Sequence, residues 1–350
     1  MMARTRDAAA GGRLAELDAL RGLAALAVVL FHFTTRFDEL YPQPSRFQWS
    51  LAQGHFGVNL FFIISGYVIF MTLDRTRNAQ DFLVSRFSRL YPAYWVSIVL
   101  TFCITHWLGL PGKLVSAEQA LANGLMIHGF WRVPSVDAVY WTLEVELLFY
   151  AWMLLLFVAG KLDRVFVAVG ALLVLRGFYW GAAQFAAVDL PYIVWRLLIL
   201  DHLPWFALGL ASHALLSPDP TARRHRQAML LAAGAVAILL LTVSPARALL
   251  ALALAGLVHG AASGRLPVLR LSVLVWLGAI SYPLYLLHEF IGWSLMLKVL
   301  RSGGTPWLAL LLALLASFAL AQLVSMAVEK PAMHAIRKRW KARQAQQAPA

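Results

Sequence analysis

Apolar runs about twenty residues long, separated by short polar or Gly/Pro-containing breaks, recur along the whole 350-residue chain. A membrane-spanning helix requires roughly 20 mostly apolar residues. Ten stretches meet that requirement: 18–37, 54–73, 82–110, 139–160, 165–185, 197–216, 227–244, 248–264, 271–299 and 306–328. The apolar stretch 118–131 is about 14 residues long, which suits an interfacial or re-entrant segment better than a span. The pattern predicts an all-α polytopic membrane protein, a bundle of about ten transmembrane helices. It divides the chain into an N-terminal tail over 1–17, a single membrane domain over 18–328 and a basic tail over 329–350.

Composition removes the alternatives. Hydrophobic residues make up 61% of the chain, charged residues 13%, and the mean hydropathy is +0.69. That is half the roughly 25% of charge found in soluble domains, so lipid has to be the solvent for most of the surface. Soluble-enzyme, disordered and collagenous classes are excluded. The formal net charge of +13 would point to nucleic acid in a soluble protein. In a membrane protein it is accounted for by Lys and Arg concentrated in cytoplasmic loops, and no nucleic-acid partner is expected. With ten spans the termini share a side, and that side carries eighteen Lys and Arg, Arg4, Arg6 and Arg13 among them, against eight, Arg46 included, on the other. Both termini are therefore predicted to be cytoplasmic, with the first apolar run a retained span rather than a cleaved signal. The single cysteine, Cys103, reads as packing within an apolar run, and no metal site is expected.

Ionisable side chains inside spans are expensive and mark function by default. Arg21 and His32 are eleven residues apart, about 20° beyond three full turns, so they share one helix face about 16 Å apart along the axis. Taken singly, Arg21 also reads as a snorkelling anchor and His32 as a hydrogen-bonded core histidine. Arg86 and Arg89, three residues apart in FLVSRFSRLYPAYW, form a fork of donors suited to phosphate, and Pro92 loosens the same helix. In YWTLEVELLFY, Glu144 and Glu146 are about 200° apart on a helix, so one of them is expected to face the interior and meet a histidine at its depth. The run LGAISYPLYLLHEF brings Tyr282, Tyr285, His288 and Glu289 together, and GVNLFFIISGYVIF supplies Asn59, Ser65 and Gly66, where small residues also serve close helix packing. The arrangement predicts phosphate recognition at the cytoplasmic mouth and acid/base residues toward the outside. A histidine held by a carboxylate there is suited to deprotonating a hydroxyl.

These motifs resemble the acyltransferase-3 family of integral membrane O-acyltransferases. The matching elements are Arg21 followed by His32, GVNLFFIISGY, the Arg86-Phe-Ser-Arg89 pair before LYPAYW, WTLEVELLFY, and SYPLYLLH, in order over about 270 residues. The resemblance implies transfer of an acyl group, usually acetyl, from cytoplasmic acyl-CoA to a hydroxyl of an exported glycan or lipid-linked saccharide in the bacterial inner membrane. It implies His32 as catalytic with Arg21 and Glu146, five residues after Trp141, and Arg86 and Arg89 at the CoA phosphates. Trp141, Tyr150, Ser65, Tyr285 and His288 are then expected to line the substrate. Thr142 stands where a serine is commoner, and no hydrolase-like domain follows the spans, which implies either a complete reaction or hand-off to another protein. Direct transfer and an acyl-histidine relay remain open, as does the acceptor, which extends to a small secreted metabolite. A transporter of glycan precursors would share the polar interior, although no inverted repeat is present. An intramembrane serine protease would need Ser65 beside a histidine.

Overall fold

The computed structural model describes residues 15–42, 49–186, 188, 190–217 and 221–347, with no strand among them. Arg4, Arg6, Arg13 and Arg46, which entered the charge balance, lie outside the described residues. The first span is α1 (Ala15–Leu30), continued by a π-helical turn over Phe31–Arg36 and a last turn over Phe37–Leu40. Next come α2 (Gly57–Arg75) and the 30-residue α3 (Ala79–Leu108), whose N-terminus is capped by the Asn78 side chain accepting from the Asp81 N–H at 2.8 Å. The stretch expected to be interfacial is a seven-residue helix, α4 (Ala117–Asn123), closed by a Ser116/Gln119 capping box, and a 3-10 turn over His128–Trp131. It is followed by α5 (Trp141–Val158), α6 (Val165–Ala186) and the short α7 (Tyr192–Leu197).

All ten apolar stretches are helical, but among the described residues only eight helices are long and apolar enough to cross a membrane on their own. One exception is α8 (Leu203–Leu216), which has 14 residues and buries eleven of them, so it is enclosed by other helices on nearly every side. After α9 (Ala222–Thr242) and α10 (Pro245–Ala262) comes the other exception. The stretch predicted as a single span over 271–299 is two helices, α11 (Ser272–Leu287) and α12 (Glu289–Arg301), bent by 70°. Pro283 removes one backbone donor inside α11. At the break, His288 Nδ1 lies 3.1 Å from the Leu284 carbonyl and 2.9 Å from that of Tyr285, so the side chain caps groups that the helix leaves unpaired. The last helices are α13 (Pro306–Val324), a π-helical turn over Ser325–Glu329, and α14 (Lys330–Gln347).

The run that reads as a basic tail in the sequence is thus α14, and it docks along the start of α3. Trp340 and Gln344 both donate to Asp81 Oδ1, at 2.6 and 2.7 Å, and Arg337 Nε donates to the Ser88 hydroxyl at 3.1 Å. Cys103, expected in the packing, is exposed on α3. The core is built by α1 against α11 and α2, with α2 in turn on α8. Both contacts depend on glycine. A Cβ on Gly278 would sit 2.2 Å from the Asp18 carbonyl oxygen of α1, and one on Gly66 would sit 2.3 Å from the Phe206 carbonyl oxygen of α8. Gly278→Ala is therefore expected to lower stability by roughly 1–3 kcal/mol through overpacking. The check is the thermal unfolding midpoint of the purified protein in detergent.

Candidate functional site

Two cavities lie back to back in the bundle. The histidine cavity, about 340 Å³, is bordered by His32, Asn59, Trp141, His202, Glu289 and Trp293. The basic cavity, about 500 Å³, carries Arg21, Arg75, Arg86, Arg89, Lys330 and Arg337 against only Asp18, Glu146 and Glu329. Val58, Phe62 and Tyr285 line both, so a wall of three side chains separates them.

His32 sits on the π-helical turn that ends α1, a local widening of the kind common at functional sites. Its backbone carbonyl accepts from Trp293 Nε1 at 2.9 Å, which pins the turn. Its Nδ1 is 2.8 Å from His288 Nε2. The proton positions in this pair follow from the partners. Backbone carbonyls only accept, so His288 Nδ1, facing those of Leu284 and Tyr285, carries a hydrogen. The neutral His288 ring therefore accepts at Nε2, and His32 donates from Nδ1. That leaves a lone pair on His32 Nε2, a basic nitrogen 3.8 Å from Glu289 Oε1. Glu289 is buried and hydrogen-bonded to the wholly buried Asp137. Burial pushes the Asp137 carboxyl up, while backbone N–H groups of Phe290 and Val139 oppose the shift.

In the basic cavity, Arg89 pairs with Glu329 at 2.5 Å; this carboxylate belongs to the second π-helical turn and is 1% exposed. The Arg86 guanidinium stacks over the rings of Phe82 and Tyr150, 5.7 and 5.9 Å from their centroids, and its buried Nε has no hydrogen-bond partner. Arg21 lies 3.5 Å from Asp18, one helical turn away. Glu146 accepts from Ser65 and, at 2.5 Å, from Tyr150. An excess of cations with one guanidinium N–H unsatisfied is the donor set that phosphate groups would complete.

The structure places His32 on the histidine cavity with His288 buried behind it, Tyr285 on both cavities, and Arg21, Arg86, Arg89, Ser65, Glu146 and Tyr150 on the basic cavity. It does not bring Glu146 to His32. The carboxyl beside His32 is Glu289, and its nearest partner is a second histidine. Glu144 and Glu146 do point to different sides of α5, but neither faces lipid: Glu144 is 1% exposed and ion-paired to Arg196 of α7. Ser65 donates to a carboxylate and has no histidine beside it, so the protease reading lacks its base. Trp141 borders the histidine cavity, where its ring packs 5.1 Å from that of His202. Sequence reasoning missed His202, Asp137, Glu329, Lys330 and Arg337 as site residues. The available signals were a histidine directly before the helix start at Leu203 and a carboxylate, Glu329, at the very end of an apolar run.

Apolar spanning helices around a free imidazole nitrogen and a cation-rich cavity define a polytopic membrane protein with an interior site. The acyltransferase-domain family, acyltransferase-3, matches residues 14–326, and the chain belongs to that family. Among curated relatives it is 29% identical over 157 residues to nodulation protein 10 of Rhizobium leguminosarum bv. viciae, covering 40% of this chain and 43% of the relative. It is 28% identical over 153 residues to the peptidoglycan O-acetyltransferase OatA of Listeria monocytogenes, covering 38% and 22%, respectively. It is 30% identical over 105 residues to the exopolysaccharide production protein ExoZ of Rhizobium meliloti, covering 28% and 32%. The chain spans less than half the length of each of these three relatives. No solved structure matches it.

Proposed function

We propose that this protein is a membrane O-acyltransferase that moves an acyl group, acetyl in the first instance, from acyl-CoA to a hydroxyl of an exported or lipid-linked saccharide. The observation that carries this reading is the contact of the two cavities at Val58, Phe62 and Tyr285, with phosphate-suited cations on one side and the free His32 nitrogen on the other. Relatives named as peptidoglycan O-acetyltransferase and exopolysaccharide production protein support the saccharide class. The charge bias supports a cytoplasmic basic cavity and cytoplasmic termini in a bacterial inner membrane.

In this scheme Arg86, Arg89, Arg21, Arg75, Lys330 and Arg337 hold the phosphates of the donor, while Ser65, Glu146 and Tyr150 border its path toward the wall. The thioester reaches the wall of Val58, Phe62 and Tyr285. His32 Nε2 takes the proton of the acceptor hydroxyl, which lies against Trp141 and His202. The oxygen attacks the acyl carbon, the C–O bond forms, the C–S bond breaks, and the departing thiolate takes the proton back from the imidazolium. For the transfer, side chains of the wall swing aside so that the hydroxyl oxygen and the acyl carbon come within about 3–3.5 Å of each other.

The experiment is transfer of label from acetyl-CoA in sealed vesicles of known orientation. Label is expected on saccharide hydroxyls only when acetyl-CoA is supplied on the side of the termini. Unlabelled saccharide crossing the membrane without acetyl-CoA would replace the reading with a transporter. Label trapped on His32 in the absence of acceptor would make the imidazole the nucleophile of a two-step relay rather than the base.

A further inference from the structure

Asp137 lies in the loop before the 3-10 turn Ala138–Tyr140 that leads into α5, and it is wholly buried. Its Oδ1 accepts from the Val139 N–H at 3.2 Å and its Oδ2 from the Phe290 N–H of α12 at 3.0 Å. It is also hydrogen-bonded to the Glu289 side chain, whose Oε1 stands 3.8 Å from His32 Nε2. Two carboxyl groups in hydrogen-bond contact and out of water cannot both ionise, so one proton lies between them. Both Asp137 oxygens face donors that can only donate, which makes Asp137 the better anion and leaves the proton on Glu289.

We infer that Asp137 is a positioning residue for His32: it holds the anion of the site, clamps the Glu289 carboxyl against it, and through that neutral carboxyl steadies the imidazolium that forms when His32 takes a proton. The inference rests on the acyl-transfer reading for its purpose, though not for its test. No proton leaves the carboxyl pair; the one that moves goes from the acceptor hydroxyl to His32 Nε2 and on to the thiolate. The arrangement also reverses the obvious assignment, in which the carboxyl nearest the imidazole would carry the charge.

The other titratable and charged groups facing the trio are His288, Tyr285 and Tyr140, with Tyr41, Lys113, Arg36 and His55 around the cavity. All are left intact by the variants. The test uses the full chain in nanodiscs with 15N-labelled histidine, the His32 resonances being assigned by their loss in His32→Gln. With the anion removed, the His32 protonation midpoint in Asp137→Asn is expected to move about one unit to lower pH, a roughly tenfold change in proton affinity. In Glu289→Gln, which keeps a donor toward Asp137 and replaces one neutral group with another, the midpoint is expected to stay within about 0.3 units. A purely structural loss in Asp137→Asn would broaden the spectrum without moving the midpoint, and an unmoved midpoint would overturn the inference. If Asp137→Asn does not fold, Glu289→Gln decides alone: an unmoved midpoint supports the inference, and one moved to lower pH puts the charge on Glu289 and overturns it. Absence of acyl transfer by the wild-type chain in the vesicle assay would overturn the acyl-transfer reading and leave this electrostatic assignment standing.

Discussion

Replacing His32 with glutamine is expected to lower acyl turnover by about 10²–10⁴-fold, the range set by loss of a positioned general base. Glutamine has roughly the length of the ring and can still donate toward His288 Nε2, so the contact between α1 and the helix break at His288 survives. What disappears is the lone pair now on Nε2. Because the cations that suit phosphate belong to the other cavity, KM for acetyl-CoA is expected to change by no more than about twofold, a kcat effect rather than a binding effect. Initial rates of label transfer in membranes containing equal amounts of the two proteins measure both parameters. A variant with raised KM and unaltered kcat would assign His32 to donor binding and remove the base from the scheme.

Arg89→Ala is expected to produce the largest loss of stability, roughly 3–5 kcal/mol, because it leaves a buried carboxylate without its partner. Glu329 is 1% exposed, its second oxygen already lacks a hydrogen bond, and the Arg89 guanidinium is its only ion-pair partner among the described residues. The double variant Arg89→Met, Glu329→Leu is expected to recover most of that loss, since removing both charges abolishes the desolvation penalty along with the attraction. Unfolding midpoints of the wild type, Arg89→Met, Glu329→Leu and the double variant complete the cycle. The double variant remains deficient in one cation of the basic cavity, so its KM for acetyl-CoA stays raised even as stability returns. That split separates what Arg89 does for the fold from what it does for a ligand.

The helical architecture was legible because a twenty-residue apolar run has few alternatives in lipid, and all ten such runs are helices. The lengths were less legible. α8 is short because its first turn begins only at Leu203, after the strained backbone at Ile199, whose φ is +48°. Hydropathy does not register such a delay. The break at His288 depends on a side chain bonding to its own helix, which a composition window also cannot detect. At the site, the periodicity of α1 placed Arg21 and His32 on one stripe, and the stripe does run from one cavity to the other. The expectation that an α5 glutamate meets a histidine at its depth fails for Glu146, because Ser65 and Tyr150 satisfy it locally. Glu289 was visible beside His288, but its approach to His32 is a contact across more than 250 residues of sequence. Asp137 stands in no motif that the sequence singles out, and Lys330 and Arg337 read as charges of the basic tail, which the structure packs as α14 on α3.

The short α8 also bears on the membrane itself. Fourteen residues rise about 21 Å, against a hydrocarbon layer of about 30 Å, and the helix starts immediately after His202, on the border of the histidine cavity. Other helices enclose α8 on nearly every side, so the difference is met inside the bundle: the turn over 198–202 takes up the remaining depth, and its last residue, His202, borders the histidine cavity. Non-helical backbone at membrane depth is tolerated only where protein buries it or where it lines a water-filled cavity, and the late start of α8 fits a polar cavity at that depth.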